Sequence, residues 1–265
     1  MRKNSIDMKI GFIIIGIISL LAISSFFYTP YNIDEMNIAV RLTRPSLSHL
    51  FGTDNFGRDI FSRVMVGARF TILVAVTTVL GSASIGSVLG LISGYIGGFG
   101  DEIILRIIDA VTSFPGILIA LIMVTVLDNG KYTIILALCI MFIPSFTRIV
   151  RTGTLQYKES EFVKNIKVFG GSGFRILFVH IFPNIFPTLL SSVVIGLSNA
   201  ILAESSMSYL GLGIQPPTPS WGRMLNEAQA SLFYAPWFAL AAGFMIMITV
   251  IGFNCIGEGI RKKYC

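Results

Sequence analysis

The chain has 265 residues, of which 54% are hydrophobic and 13% charged, and its mean hydropathy is +0.78. Soluble domains carry about 25% charged residues, so the composition excludes an ordinary soluble enzyme or binding module. The net charge of +6 is not a nucleic-acid signal, because no basic patch is interleaved with aromatics.

Charged residues are missing from six blocks: 10–33, 70–100, 110–127, 132–147, 176–203 and 228–257. A membrane helix needs roughly 20 apolar residues, so the pattern predicts an all-α membrane protein with six transmembrane helices. Block 132–147 is short, and Lys131 and Arg148 are expected to snorkel to the interface. Arg2, Lys3 and Lys9 precede the first block as in a secretory signal. That block exceeds the roughly 7–15 residues of a signal core and no A-x-A site follows, so a retained first helix is expected.

The next segment, to Arg69, contains SLSHLFGTDNFGRDIFSRVMVGARF. Asp54, Arg58, Asp59 and Arg63 recur at four or five residues, which predicts an amphipathic surface helix capped by Thr53 or Asp54. Such exposed charge pairs contribute about 0.3–0.5 kcal/mol each. The second span then carries Ser82, Gly86, Gly90, Gly94 and Gly98, each four apart. That spacing makes one smooth ridge on which another helix can pack closely, in the core or at a subunit interface.

A tight turn is expected at Gly97–Asp101, and Asp101, Glu102, Arg106 and Asp109 then open the third helix. Arg106 is within helical reach of both Glu102 and Asp109. A helix-end charge cluster accounts for them more simply than a partner contact. Pro115 and Pro144 interrupt the third and fourth helices.

The longest polar stretch between apolar runs on the Lys/Arg-rich side is QYKESEFVKNIKVFGGSGFRILFVHIFPNIFP, residues 156–187. Phe162, Val163, Ile166 and Phe169 recur at three and four, as on an amphipathic helix. Lys158, Glu161, Lys164, Asn165 and Lys167 fill the other positions, and Gly170 and Gly171 supply the stop. Pro183 and Pro187 are expected to prevent an uninterrupted helix on the return to the membrane. A short helix of this kind lies on lipid or docks into a soluble partner; the alternative is a polar loop with a fraying helix.

Beyond the fifth span, Glu204 is expected at the outer helix end, and Gln215–Trp221, with three prolines, cannot be regular helix. Trp221 and Trp237 are expected at interface depth. The last helix ends in Arg261, Lys262 and Lys263. Basic residues are denser on the side holding both termini and the 156–187 stretch, so the positive-inside rule places that side in the cytoplasm. Cys139, Cys255 and Cys265 form no framework, and His49 and His180 fall on opposite sides, so no metal, cofactor or catalytic site is implied. There is no G-x-x-x-x-G-K-[ST] loop, no H-E-x-x-H, no G-x-S-x-G, and no ionisable residue at a span centre. If the protein drives transport, its energy comes from elsewhere. A membrane scaffold without transport and a secondary transporter are the competing classes.

Three blocks carry a resemblance: HLFGTDNFGRDIFSRVMVGAR (49–69), SGYIGGFGDEIILRIIDAVTSFP (93–115) and YLGLGIQPPTPSWGRML (209–225). With them the chain resembles a permease subunit of a bacterial ABC importer, in the peptide/nickel branch of the binding-protein-dependent transporters. The resemblance implies the type I ABC importer permease fold, with residues 1–69 as first helix and outer loop and 70–265 as a five-helix core. It implies a coupling loop at about 152–182 and a place in the bacterial plasma membrane. It also implies, as partners, a second homologous permease, two ABC ATPase subunits and an extracytoplasmic substrate-binding protein. Glu161, Phe162, Val163, Lys164, Asn165, Ile166, Phe169 and Gly170 then become the ATPase-coupling segment. The family's E-A-A triplet falls on Lys164, Asn165 and Ile166, none of which matches it. The substrate is left open between di- or oligopeptides and nickel, the compact chain leaning slightly to nickel.

Overall fold

A computed structural model describes residues 2–127 and 131–264; Cys265 lies outside them. The order is α1 (Arg2–Ser24), α2 (Ile60–Ile96), α3 (Gly98–Ser113), α4 (Gly116–Leu127), α5 (Lys131–Lys158), α6 (Glu161–Val168), α7 (Gly173–Arg175), α8 (Phe182–Tyr209), α9 (Trp221–Ala228) and α10 (Pro236–Tyr264). A π-helical stretch, Ile176–Ile181, joins α7 to α8. Among the described residues there is no β-strand, only an isolated bridge between Thr53 and Asp59.

Five helical segments are long and apolar enough to cross a membrane, and α3 with α4 forms a sixth candidate bent by 87°. The third helix is therefore interrupted at Pro115, as its sequence implied. Pro115 has no N–H and forces Phe114 into extended backbone (φ −88°, ψ 132°), so the α3 ladder stops there. Pro144, by contrast, sits inside α5, which runs unbroken for 28 residues and extends well beyond the short charge-free block. Its charged C-terminal half is tied by Arg148 and Arg151 to carboxylates of α3.

Pro183 and Pro187 likewise do not end a helix. Residues 173–209 form one helical segment, with Pro183 directly after a π-helical turn and Pro187 inside α8, and each proline omits one bond of the ladder without ending the helix. The wider π turn just before Pro183 absorbs the register change.

Helix α2 begins at Ile60, not near Thr53. Asp59 is its cap, accepting from the Ser62 backbone N–H at 2.8 Å and from the Ser62 hydroxyl at 2.7 Å. The bundle core forms where α2, α5, α8 and α10 meet, with Val79, Phe146, Val150, Ile185, Ile201, Phe238 and Ala242 in one apolar cluster. Helix α1 is peripheral and packs on α10. A Cβ on Gly11 would stand 2.7 Å from the Gly252 carbonyl, and one on Gly252 2.9 Å from Ile14.

Trp221 is not at an interface. It is fully buried, with its indole N–H donating to the Val64 carbonyl at 3.1 Å and its own backbone N–H to Thr71 Oγ1 at 3.3 Å. Gly67 makes room for the ring, since a Cβ there would lie 3.2 Å from Trp221 Cδ1. The tryptophan thus pins the segment before α9 onto α2. Trp237 is partly buried and packs against the same core. Glu204 is buried within α8 and accepts from the Ser208 hydroxyl at 2.6 Å.

Candidate coupling site

The candidate site is the short helix α6 and the framework that carries it. Ser160 makes the turn out of α5: its N–H donates to the Tyr157 carbonyl at 3.0 Å, and its carbonyl accepts from Val163 and Lys164 at 3.1 Å. At the other end Gly170 (φ 77°) is left-handed, as a glycine permits. The Gly170 N–H then reaches the Lys167 carbonyl at 3.0 Å, and the Gly171 N–H the Ile166 carbonyl at 2.9 Å. These two bonds form a Schellman motif, which satisfies carbonyls that the last turn would leave open. Gly171 has a second constraint, because a Cβ there would collide with Ile166.

The apolar residues of α6 do not all face the same way. Val163 is fully buried in the protein's own core cluster and Ile166 packs partly against it. Neither forms part of an exposed docking face, which corrects the expectation that all four apolar residues project together. The exposed set is Phe162 at 38%, Val168 at 83% and Phe169 at 90% relative accessibility. The repeat at three and four residues marks one stripe, but this stripe anchors the helix inward at its centre and leaves its edges free. Val168, absent from the sequence-derived set, belongs to the free edge; it followed Lys167 with no apolar partner at helical spacing on the chosen stripe. Glu161, Lys164 and Asn165 are exposed, with Lys164 Nζ 3.2 Å from Glu161 Oε1. Phe174, beyond Gly171, is also exposed, with its ring 4.6 Å from that of Phe178.

Tyr95, at the end of α2, is the hub beneath this loop. Lys158 and Lys167 place their ammonium groups 5.9 and 5.7 Å from its ring centroid, within reach of a cation–π attraction. A Cβ on Gly173 would lie 3.3 Å from the same ring. Both flanks of α6 therefore rest on α2.

From there the small-residue row leads into the bundle. A Cβ on Gly86 would stand 2.7 Å from Phe146 Cβ, one on Gly90 2.6 Å from the Thr147 carbonyl, and one on Gly94 2.7 Å from Thr154 Cβ. Helix α5 thus occupies the ridge, with backbone nearly touching backbone. Ser82 is buried in line with them, its hydroxyl donating to the Thr78 carbonyl at 2.7 Å. Gly98 is not on the ridge: α2 ends at Ile96, Gly97 turns the chain, and the space beside Gly98 is open.

Ion pairs complete the framework. Asp101 accepts from Arg151 Nε at 2.7 Å and Nη2 at 2.6 Å, and also from the Ser93 hydroxyl, joining α3, α5 and α2. Asp109 pairs with Arg148 at 2.7 Å, while Arg106 pairs with Glu102 alone at 2.6 Å. Two of the four charged residues expected to serve one helix end therefore fasten α3 to the helix that leads into α6.

The opposite end of the bundle contains the charges expected on an exposed helix. They are buried. Arg58 donates to Asp54 at 2.6 Å and to Glu227 at 2.8 Å, and Arg63 to Glu227 at 2.9 Å. Asp59 pairs with His49 at 2.9 Å. Local spacing shows only the pairing of Glu227, on α9, with Arg223 at 3.4 Å; Arg58 and Arg63 lie more than 160 residues away in the chain.

Comparison with known proteins places this architecture. Residues 86–263 match the family described as binding-protein-dependent transport system inner membrane component. The chain belongs to that family. It is 40% identical over 261 residues to a dipeptide transport system permease protein of Alkalihalophilus pseudofirmus, covering 98% of this chain and 86% of that one. It is also 38% identical over 251 residues to a glutathione transport system permease protein of Pectobacterium atrosepticum (93% and 83% covered), and 40% identical to its Escherichia coli counterpart (98% and 86%). The family assignment makes the chain an inner-membrane permease subunit of an ABC importer.

Proposed function

We propose that this permease subunit imports short peptides, of dipeptide to glutathione size, and that α6 is the element through which a partner ATPase drives it. The substrate reading rests on the names of the relatives above. Passage requires a second, homologous permease, two ATPase subunits, and an external binding protein that delivers the peptide to the Asn32–Asp59 and Gly211–Ser220 side. The termini and α6 face the cytoplasm, in accord with the basic residues there.

The observation that carries the coupling reading is a helix held rigidly at its centre by Val163, closed by a Schellman motif, and free along Phe162, Val168 and Phe169. Each freed side chain contributes about 1.5–3 kcal/mol if fully buried in a partner groove. Closure of the ATPase pair would push on this edge. The push would pass through Tyr95 and the Ser160 turn into α2 and α5, which the glycine row and Asp101–Arg151 hold as one body. The unmatched triplet fits the same scheme. Ile166 serves internally, and Lys164 and Asn165 present a polar surface that the ATPase groove must complement.

The test is labelled-dipeptide, glutathione and nickel uptake, together with substrate-stimulated ATP hydrolysis by the purified complex, in the wild type and Phe169→Asp. The variant should fold normally and lose both peptide uptake and stimulated hydrolysis. Normal uptake with Asp at 169 would refute the coupling role; uptake of nickel alone would overturn the substrate assignment.

A further inference from the structure

A groove of about 430 Å³ lies between α1 and α2, at the end of the bundle opposite α6. Ala22, Ile23 and Phe26 form one wall, and Phe70, Leu73 and Val76 the other. Its only charged lining residue is Arg69. The guanidinium donates through Nε to Ser25 Oγ and lies 4.0 Å over the Phe26 ring, so its plane is fixed. Among the described residues it has no carboxylate partner, unlike Arg58, Arg63, Arg148, Arg151 and Arg223.

The depth of Arg69 is set by its neighbours. Helix α1 ends at Ser24, and Arg69 bonds the next residue, at the level where α1 leaves the apolar layer. Phe26, Phe27 and Tyr28 are exposed at that level, the position of an aromatic belt. Of the five straight spans α1 is the one least covered by this chain, so the outer side of the groove is open.

We infer that this groove is a binding site for an anionic phospholipid of the leaflet on the Asp59 side. The lipid phosphodiester is held by Arg69 and one acyl chain lies along Ile23, Leu73 and Val76. A fixed, uncompensated cation at the mouth of an otherwise apolar cleft selects for both halves of that molecule. A neutral helix of another subunit would leave the charge unanswered, and a free anion would leave the cleft empty. The site clamps α1 to α2, where the direct packing is thin compared with that of α1 on α10.

The test is native mass spectrometry on the full chain, purified with the subunits that accompany it, stripped of lipid and titrated with phosphatidylglycerol or, separately, inorganic phosphate. Wild type should retain one phosphatidylglycerol. Arg69→Gln should weaken that retention on the order of tenfold, the effect of one charge-assisted contact. Leu73→Trp, which fills the groove but keeps Arg69, should weaken it comparably, and inorganic phosphate should not be retained. Thermal unfolding of each variant separates lost binding from lost fold, and either variant alone carries the test if the other is unstable. Unchanged lipid retention in Arg69→Gln, retention in Leu73→Trp, phosphate held as well as lipid, or no lipid on wild type would each overturn the assignment.

Discussion

The two ends of the bundle handle their polar residues in opposite ways. At the cap end, Asp54, Arg58 and Arg63 are buried and the partly covered Glu227 pairs with both arginines, so the network joins the segment before α2 to α9. At the coupling end, Glu161 and Lys164 form an exposed pair, the helix is eight residues long, and its apolar edge is uncovered. Charges taken out of water are costly unless paired, so losing one partner is expensive. Charges left in water cost little and constrain little. The cap end is therefore built as a fixed lid, whereas α6 is a firm anchor carrying an uncovered apolar edge, the surface proposed to meet the ATPase.

This contrast can be broken, and the largest effect is expected at the lid. Glu227→Ala leaves Arg58 short of one carboxylate and Arg63 with only a distant Asp54, at 3.8 Å. Removing one partner of a buried pair costs about 3–5 kcal/mol. The variant should show a sharply lowered unfolding temperature in detergent, and an unchanged one would mean that the lid is not held by these charges. Next comes the link between the two ends. Gly90→Val places a Cβ 2.6 Å from the Thr147 carbonyl, and overpacking of this type costs about 1–3 kcal/mol or more. Helices α2 and α5 must then separate, so both stability and uptake should fall together.

The coupling end sharpens the comparison further. Val163→Ala removes a fully buried side chain and should destabilise by about 1–2.5 kcal/mol, loosening α6 from the bundle. Val168→Asp, on an exposed neighbour, should stay within about 0.5 kcal/mol of wild type while abolishing stimulated ATP hydrolysis. If both variants behave alike, the division of α6 into an anchored centre and a free edge is wrong. The smallest effect is expected for Glu161→Gln, whose pairing with Lys164 is exposed. Its stability should change by less than about 0.5 kcal/mol, read by the same unfolding assay.

Much of the fold was legible in the sequence because it depends on local properties. Runs without charge mark the membrane segments, since a lipid-facing helix tolerates few ionised groups wherever it packs. The end of α6 was legible for a similar reason, as Gly170 and Gly171 permit the backbone that the Schellman motif needs whatever surrounds it. The four-residue spacing from Ser82 marked a smooth face on α2 as far as Gly94, but its last member, Gly98, lies beyond the helix, which Gly97 ends. The candidate site was half legible. The glycine stop could be read, but neither the start of α6 at Glu161, with Lys158 left on α5, nor the direction of its stripe could.

Local pattern alone was therefore enough for the class of protein, the apolar segments and the glycine signals that stop α2 and α6, but not for the start of α2. The tertiary structure decided which neighbour took each face. It turned Val163 inward and left Val168 outside, drew Trp221 onto Val64, and buried Arg58 and Arg63 beneath a glutamate far along the chain. Periodicity records which residues share a side, because backbone geometry alone sets that. Whether a side is buried, paired or free depends on atoms from other segments, and a local pattern contains no information about them.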